Sequence, residues 1–408
     1  MPLDGQDRKR LVLLAVIYLG FMSLGLPDSV LGVSWPKMRP DFARPIESAG
    51  LLVTITTVCS VLSSVSNGYI SARLSCGVIL LGSGFLTMAA MFGYSASTSW
   101  PMIILLTIPL GVGQGSVDAA LNSYVAKNYS LRHMNWLHCC WGIGATGASF
   151  IMTYTLDHGL SWRVGYAAIA AIQSMFTALF FLTLKLWRAD NRAFSYVGEP
   201  ANSEHRIPSQ PAEQKNFFRA AVIGCMFYYL YPGLEAVVGL WGASLLIDVM
   251  NASMRTAGFT VSLFWGSITA GRLITGAILH DFTDRSIIRG GLTTAVVGIL
   301  MLMSTKNPGV ATVALVFIGF GLAPLYPSMM HDTPRRVGGA FAEKIIGLQV
   351  GACFAGVSTW PILTGYAASG FSLSVIAPIM LCIAVALAFL HEISVAGIYS
   401  HGQQGYRP

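Results

Sequence analysis

Three polar residues recur every four positions within an apolar stretch of the chain: Gln114, Asp118 and Asn122. Residues with this spacing share one face of an α-helix, so the pattern predicts a stripe of amide, carboxyl and amide groups. A charge at the centre of a bilayer costs at least about 2.5 to 3.5 kcal/mol, which favours a wet cavity or a partner over lipid. We predict that Asp118 carries protons and that Gln114 and Asn122 bind a solute. The alternative is an acid that only hydrogen-bonds a neighbouring helix.

Two further acids lie in matching surroundings. Asp28 precedes Gly32 in PDSVLGVSW, and Glu235 precedes Gly239 in PGLEAVVGLW. We predict that both are proton-coupling residues, although a polar group at a helix end in the outer vestibule is an equal alternative. At 1.5 Å of rise per residue, their depth should differ from that of Asp118 by on the order of 10 to 20 Å, which favours a relay over a carboxyl pair.

Other candidate solute-binding residues are polar or aromatic side chains inside apolar stretches: His138, Trp141, Tyr231, Trp265 and Gln349. Tyr231 and Glu235 are four residues apart, so they share a helix face and could present an aromatic ring beside a carboxyl. His138 could bind the solute or move protons, or it could be a structural hydrogen-bonding residue. The position of Arg272 in GRLITG indicates a residue of a gate or a member of an ion pair.

The composition identifies the environment of these residues. Hydrophobic residues make up 54% of the 408 positions and charged residues 11%, whereas soluble domains carry about 25% charged residues. The chain is therefore predicted to be a membrane protein in contact with a lipid bilayer. The net charge of +7 is concentrated at the ends of apolar segments, so nucleic acid is not an expected partner. The seven cysteines show no metal-ligand spacing, and neither a metal nor another cofactor is expected.

Twelve stretches are long enough to cross a hydrocarbon core about 30 Å thick. They lie near 11–36, 48–71, 77–96, 101–125, 136–157, 163–187, 217–246, 254–279, 287–304, 309–330, 342–366 and 371–395. With the N-terminus inside, 18 of the 25 Lys and Arg residues are cytoplasmic and 6 are outside. This asymmetry predicts a multi-pass protein of the cell (inner) membrane with both termini in the cytoplasm.

The matching surroundings of Asp28 and Glu235 also predict an internal repeat of six spans. We expect an all-α membrane protein with twelve transmembrane helices in two six-helix pseudo-repeats. The predicted domains are an N-terminal bundle at 1–187, a polar cytoplasmic linker at 188–216 and a C-terminal bundle at 217–408. Such repeats place the substrate between the two halves, near the middle of the bilayer.

Several motifs resemble the major facilitator superfamily, and within it the fucose permease-like branch of sugar–proton symporters. They are the acid of span one with its following proline (Asp28 to Pro36), GVGQGSVDAALN, LHCCWGIGA, GLEAVVGLW, WGSITAGRLITG and GFGLAPLYP. The resemblance implies proton coupling through Asp28 and Asp118, and it matches Asn122 to an asparagine one turn after the second acid. Asp118 replaces what is usually a glutamate, a shorter side chain.

The resemblance also implies a cytoplasmic gate motif between spans two and three. Here the motif is reduced to GYISARLSCG, in which Gly68 and Arg73 remain and Ala72 stands at the acid position. The counterpart in the second half keeps Gly276, Asp281 and Arg285. We expect the gate to depend on that second set, together with Arg272.

The function predicted from these observations is proton-coupled transport of a sugar or a related small polar solute by alternating access. Sodium is not excluded as the coupling ion, and a monomer is expected. The alternative is a proton-coupled carrier, for efflux or uptake, of an organic anion or an amphipathic compound. An enzyme is not expected, because the chain lacks the HExxH, GxGD and GxSG patterns of intramembrane and hydrolytic enzymes.

Overall fold

The computed structural model describes residues 5–129, 131–187, 211–278, 282–337 and 339–399. In these ranges the chain is helical, with a short 3₁₀ turn at Leu373–Val375. The α-helices are α1 (Gly5–Asp28), α2 (Val30–Asp41), α3 (Ser48–Ser71), α4 (Cys76–Ala96), α5 (Trp100–Asn128), α6 (Leu131–Asp157), α7 (Trp162–Trp187), α8 (Pro211–Met250), α9 (Met254–Ile278), α10 (Asp284–Ser304), α11 (Pro308–Leu322), α12 (Leu325–Val337), α13 (Gly339–Gly370) and α14 (Ile376–Tyr399). Each of the twelve predicted spans coincides with one helix or with a pair of consecutive helices, which confirms an all-α membrane fold.

Ten stretches in the described ranges are long and apolar enough to cross a membrane. The two remaining predicted spans are α6 and α9, which carry His138 and Arg272 and are not among these ten apolar stretches. These two helices pack against each other along the boundary between the two halves. The polar side chains of α6 and α9 therefore lie on an interior surface, where they avoid the free-energy cost of contact with lipid.

Two spans are interrupted. In the first, α1 contains Pro27 and ends at Asp28, and α2 begins at Val30, so that Ser29 alone separates the two helices. Proline cannot donate a backbone hydrogen bond within a helix, which weakens the helix at this point. The Ser29 hydroxyl holds the interruption in place by donating to the Ala145 carbonyl of α6 at 2.5 Å. The second interruption separates α11 from α12 next to Pro324. In the first span the interruption leaves Asp28 at the end of a helix, facing the interior.

The last six residues of the predicted linker, 211–216, belong to a helix. The linker was predicted to extend to Asn216, but α8 begins at Pro211 and runs for 40 residues. Proline is favoured in the first turn of a helix, because the first N–H groups have no partner within the helix. The remainder of the predicted linker, 188–210, lies outside the described residues.

The two ends of the helical bundle differ in how the halves meet. We call the end where α7 stops and α8 starts the linker end, and the opposite end the far end. At the far end, Arg39 of α2 forms an ion pair with Asp248 of α8 at 2.8 Å. Thr54 of α3 donates to the Ser358 carbonyl of α13 at 2.8 Å. The halves are therefore held together at the far end.

Candidate functional site

A cavity of about 1070 Å³ lies between the two halves of the protein. Its wall includes α1, α3, α5 and α6 from the first half and α8, α9, α12 and α13 from the second. It extends toward the linker end, where Phe282, Asp284 and Arg285 contribute to its wall. Three carboxyl groups and one guanidinium line its middle: Asp28, Asp118, Glu235 and Arg272.

Asp28 accepts hydrogen bonds on both carboxylate oxygens. Gln114 Nε2 of α5 donates to Oδ1, and Trp141 Nε1 of α6 donates to Oδ2 at 2.7 Å. Because both partners are donors, this arrangement suits the ionised carboxylate, which has no proton of its own to place. The end of α1 thus brings together a carboxyl, an amide and an indole from three helices.

Asp118 is held by the next residue of its own stripe, since Asn122 Nδ2 donates to Asp118 Oδ1 at 2.9 Å. Gln114, which contacts Asp28, lies one turn from Asp118 on the same helix. Asp28 thus lies beside Gln114, four residues from Asp118 along α5. At 1.5 Å of rise per residue, the two acids differ in depth by about 6 Å. This is less than the depth difference that the sequence predicted, and both acids line one cavity.

Glu235 belongs to a cluster in the second half. Tyr231 Oη donates to Glu235 Oε2 at 2.7 Å, as expected for residues on one helix face. Arg272 Nη2 lies 3.7 Å from Glu235 Oε2 and donates to Tyr231 Oη at 3.4 Å. The side chains of Arg272 and Glu235 are only 16% and 11% exposed, so the pair is largely withdrawn from solvent.

Two tryptophans meet in the cavity across the boundary between the halves. The rings of Trp141, from α6, and Trp265, from α9, are edge to face with centroids 5.6 Å apart. The guanidinium of Arg272 lies 5.7 Å from the Trp141 ring. Trp265 is 6% exposed, and its Nε1 has no hydrogen-bond partner. Among the described residues, Trp265 therefore contributes an unpartnered indole N–H that is buried within the cavity wall.

Of three further predicted solute-binding residues, one lines the cavity and two do not. His138 lines the cavity and packs edge to face against Phe21. Gln349 does not, because it is 2% exposed and its Oε1 accepts a hydrogen bond from Thr333 at 3.1 Å. Asn122 is also absent from the cavity lining, since its amide faces Asp118. Neither amide lines the cavity in this structure, and direct binding of a solute by these two residues stays a prediction.

The predicted gate residues lie in different places. Arg272 is in the cavity, beside Glu235, and Arg285 is at the linker end of the cavity. The Arg73 guanidinium lies 3.7 Å from the centroid of the Tyr69 ring on α3, near Gly68. Gly276 is in α9, and Asp281 lies outside the described residues. In the part of the chain that the structure describes, no group of three or more His, Cys, Asp or Glu residues is placed to hold a metal ion.

This arrangement of helices and cavity can be compared with known proteins. A sequence profile described as Major Facilitator Superfamily matches residues 17–361. The chain belongs to the Major Facilitator Superfamily. Members of this superfamily are transporters and not enzymes, so the chain is a multi-pass membrane transporter of a small molecule.

Individual members of the superfamily are similar at low identity. A glucose/mannose transporter of Bacillus subtilis is 22% identical over 255 residues, which cover 59% of this chain and 59% of that relative. The solved structure of a nucleoside transporter, NupG, has a TM-score of 0.73 at 15% identity and covers 93% of this chain and 98% of its own. The solved structure of a D-xylose–proton symporter has a TM-score of 0.71 at 16% identity and covers 93% and 96%. The two structural likenesses establish the superfamily fold.

Sequence analysis missed several residues that line the transporter cavity. Thr56, Thr57 and Ser60 of α3 form a polar strip on its wall, and their spacing of three to four residues was a readable signal. Tyr326 of α12 also lines the cavity, and its backbone carbonyl accepts a hydrogen bond from the Tyr228 hydroxyl at 2.9 Å. Tyr326 lies in the GFGLAPLYP motif, in which no spacing indicates that the ring faces a cavity.

Proposed function

We propose that this transporter carries a neutral sugar together with protons by alternating access. The observation that carries the proposal is the presence in one cavity of two acids, Asp28 and Asp118, that form no ion pair with any described residue and are each hydrogen-bonded by an amide. A carboxyl that faces a water-filled cavity can exchange protons with whichever side of the membrane the cavity opens to. The two acids of the first half are thus the coupling residues.

Glu235 has a different role in this proposal. Its carboxylate lies beside the Arg272 guanidinium and accepts from the Tyr231 hydroxyl, so its charge is already compensated. The Glu235 carboxylate is thus engaged by a cation, whereas the carboxylates of Asp28 and Asp118 accept hydrogen bonds from amide groups. Glu235 therefore acts as the counter-ion of Arg272, and the pair presents a polar but neutral surface to the solute.

The chemistry of the cavity favours a neutral polyhydroxyl solute over the alternatives. Gln114, His138, Tyr231 and the free Trp265 N–H offer hydrogen bonds, and the two indoles offer faces and edges on which a sugar ring can pack. An organic anion would need an available cation, whereas Arg272 is engaged with Glu235. The named relatives carry glucose or mannose, D-xylose and nucleosides, all of which include a sugar ring.

We further propose that the linker end is cytoplasmic and that the protein resides in the cell membrane. The Lys and Arg asymmetry supports this orientation. With that orientation, the closed far end is extracellular and the cavity extends toward the cytoplasm, which is the inward-facing state of an alternating-access cycle. The Arg39–Asp248 ion pair would then hold the outer gate closed.

Transport in proteoliposomes tests the proposed function. Purified protein is reconstituted, and uptake of radiolabelled D-glucose, a nucleoside and an aromatic carboxylate is measured under an imposed proton gradient, an imposed sodium gradient or neither. We expect accumulation of D-glucose under the proton gradient, abolished by a protonophore. Accumulation of the carboxylate alone would favour the organic-anion alternative. Accumulation of D-glucose under the sodium gradient alone would show that sodium, and not the proton, is the coupling ion.

A further inference from the structure

Trp141 makes contacts that join the acid site to the opposite half of the protein. Its indole N–H is donated to Asp28 of α1, within the first half. Its ring packs against Trp265 and lies near Arg272, both on α9 in the second half. One side chain thus touches a proposed coupling acid and the half that must move relative to it.

Trp265 differs from Trp141 in one respect that matters here. The two indoles form one edge-to-face pair in which Trp141 donates its N–H. The N–H of the 94%-buried Trp265 has no partner in the part of the chain that the structure describes, and it is buried in the wall of the cavity. A buried polar group without a partner carries a desolvation cost that a hydroxyl ligand would relieve. The unpartnered N–H of Trp265 therefore suggests a bound ligand, while the N–H of Trp141 is already donated to Asp28.

Other charged or titratable groups line the cavity around this region. They are Asp118 on α5, His138 and Cys139 on α6, Tyr231 and Glu235 on α8, Arg272 on α9, Tyr326 on α12 and Cys353 on α13. Among them, Asp118 is bonded to Asn122 and Glu235 is paired with Arg272. Trp141 donates its hydrogen bond to Asp28. Whether that carboxyl is protonated therefore affects the position of the indole directly.

We propose that Trp141 is the positioning residue that links protonation of Asp28 to the contact between the two halves, and that the free indole N–H of Trp265 donates to the solute. This proposal deepens the sugar–proton function above and rests on it. The ionised Asp28 accepts from both Gln114 and Trp141 and holds the indole against Trp265. A proton on one carboxylate oxygen weakens that oxygen as an acceptor, frees the Trp141 ring and loosens its contact with the second half.

Matched substitutions separate the roles of the two indoles. Trp141→Phe and Trp265→Phe each keep an aromatic ring and remove one N–H. The measurements are D-glucose accumulation under a proton gradient and D-glucose exchange at equal pH on both sides. We expect the ratio of accumulation to exchange to fall at least fivefold in Trp141→Phe. In Trp265→Phe the ratio should stay at the wild-type value, while the half-saturating glucose concentration rises about 2- to 10-fold.

A measurement without sugar keeps this inference separate from the proposed function. A single cysteine at Met330, which lines the cavity near the linker end, is alkylated at a series of pH values in a background without the native cysteines. Each alkylation rate is expressed relative to that of free cysteine at the same pH, because the thiolate is the form that reacts. We expect the alkylation rate to decrease on acidification in that background and in Trp265→Phe. In Trp141→Phe it should not depend on pH.

The outcomes distinguish the two claims. If the wild type neither exchanges nor accumulates D-glucose, the proposed substrate is wrong, and the pH dependence of alkylation still decides the role of Trp141. If Trp141→Phe keeps both the wild-type accumulation ratio and the wild-type pH dependence of alkylation, Trp141 does not link Asp28 to the second half. If Trp265→Phe binds glucose as the wild type does, its N–H does not donate to the solute.

Discussion

Gly32 of α2 lies against the backbone carbonyl of Gly239 in α8, with no room for a side-chain atom between the two helices. These glycines occupy equivalent places in the two repeats, four residues after Asp28 and four residues after Glu235. The Cβ that any other residue would add at Gly32 would meet backbone atoms, which cannot rotate away as a flexible side chain can. The close approach of α2 and α8 therefore depends on glycine at position 32, whereas a Cβ at Gly239 would meet the Trp265 ring.

Gly32→Ala should oppose the state in which the far end is closed. Overpacking of a tight contact costs about 1 to 3 kcal/mol, so we expect the D-glucose uptake rate to fall by at least about fivefold. Gly147→Ala is the matched control, because a Cβ at Gly147 has open space around it. Equal uptake rates in the two variants would show that the close approach of α2 and α8 does not limit transport.

Asp118→Asn should separate accumulation from exchange. The amide keeps the shape of the protonated acid but cannot release a proton, so the carrier remains in its loaded form. We expect accumulation driven by a proton gradient to disappear, while exchange of D-glucose between two loaded faces continues. If the variant still concentrates substrate with an alkaline interior, coupling belongs to Asp28 or Glu235.

Asn122→Ala should act through Asp118, because the Asn122 amide donates to that carboxyl and does not line the cavity. We expect the half-saturating glucose concentration in exchange to stay within about twofold of the wild type, since no hydrogen bond to the sugar is lost. Accumulation under a proton gradient should be reduced. A loss of exchange affinity with normal accumulation would return Asn122 to the list of direct solute contacts.

Arg272→Gln should destabilise the protein because it leaves the Glu235 carboxylate largely buried without its cation. Loss of one partner of a buried pair costs up to about 3 to 5 kcal/mol, and we expect about 1 to 3 kcal/mol here because the pair borders a wet cavity. Adding Glu235→Gln to Arg272→Gln should recover most of that loss. Thermal unfolding of the purified single and double variants provides the measurement, and additive losses would mean that the two side chains do not interact.

The proposed orientation can be tested with cysteines at two positions. In a background without native cysteines, Ser203→Cys, in the predicted linker, should react with an impermeant maleimide only in inverted vesicles or broken cells. Lys306→Cys, between α10 and α11, should react in intact cells. The opposite labelling pattern would reverse the topology and make the far end cytoplasmic.

The helices could be predicted from the sequence because apolarity is a local property that each segment displays by itself. The partners of polar side chains could not, since they depend on which helices become neighbours. The stripe of Gln114, Asp118 and Asn122 was visible, but the sequence did not indicate that Gln114 contacts Asp28 while Asn122 turns to its own helix. Gln349 shows the same limit: an amide within a span can satisfy itself on Thr333 as readily as on a solute.

The 40 residues of α8 have a mechanical consequence. At 1.5 Å per residue the helix is about 60 Å long, roughly twice the thickness of a hydrocarbon core, so its first turns extend beyond the bilayer. A rotation of the second half by about ten degrees would sweep the tip of such a lever through several ångströms. A fluorophore attached near Phe218, which is exposed, would then report the rocking of the transporter from outside the membrane, with no label in the solute pathway.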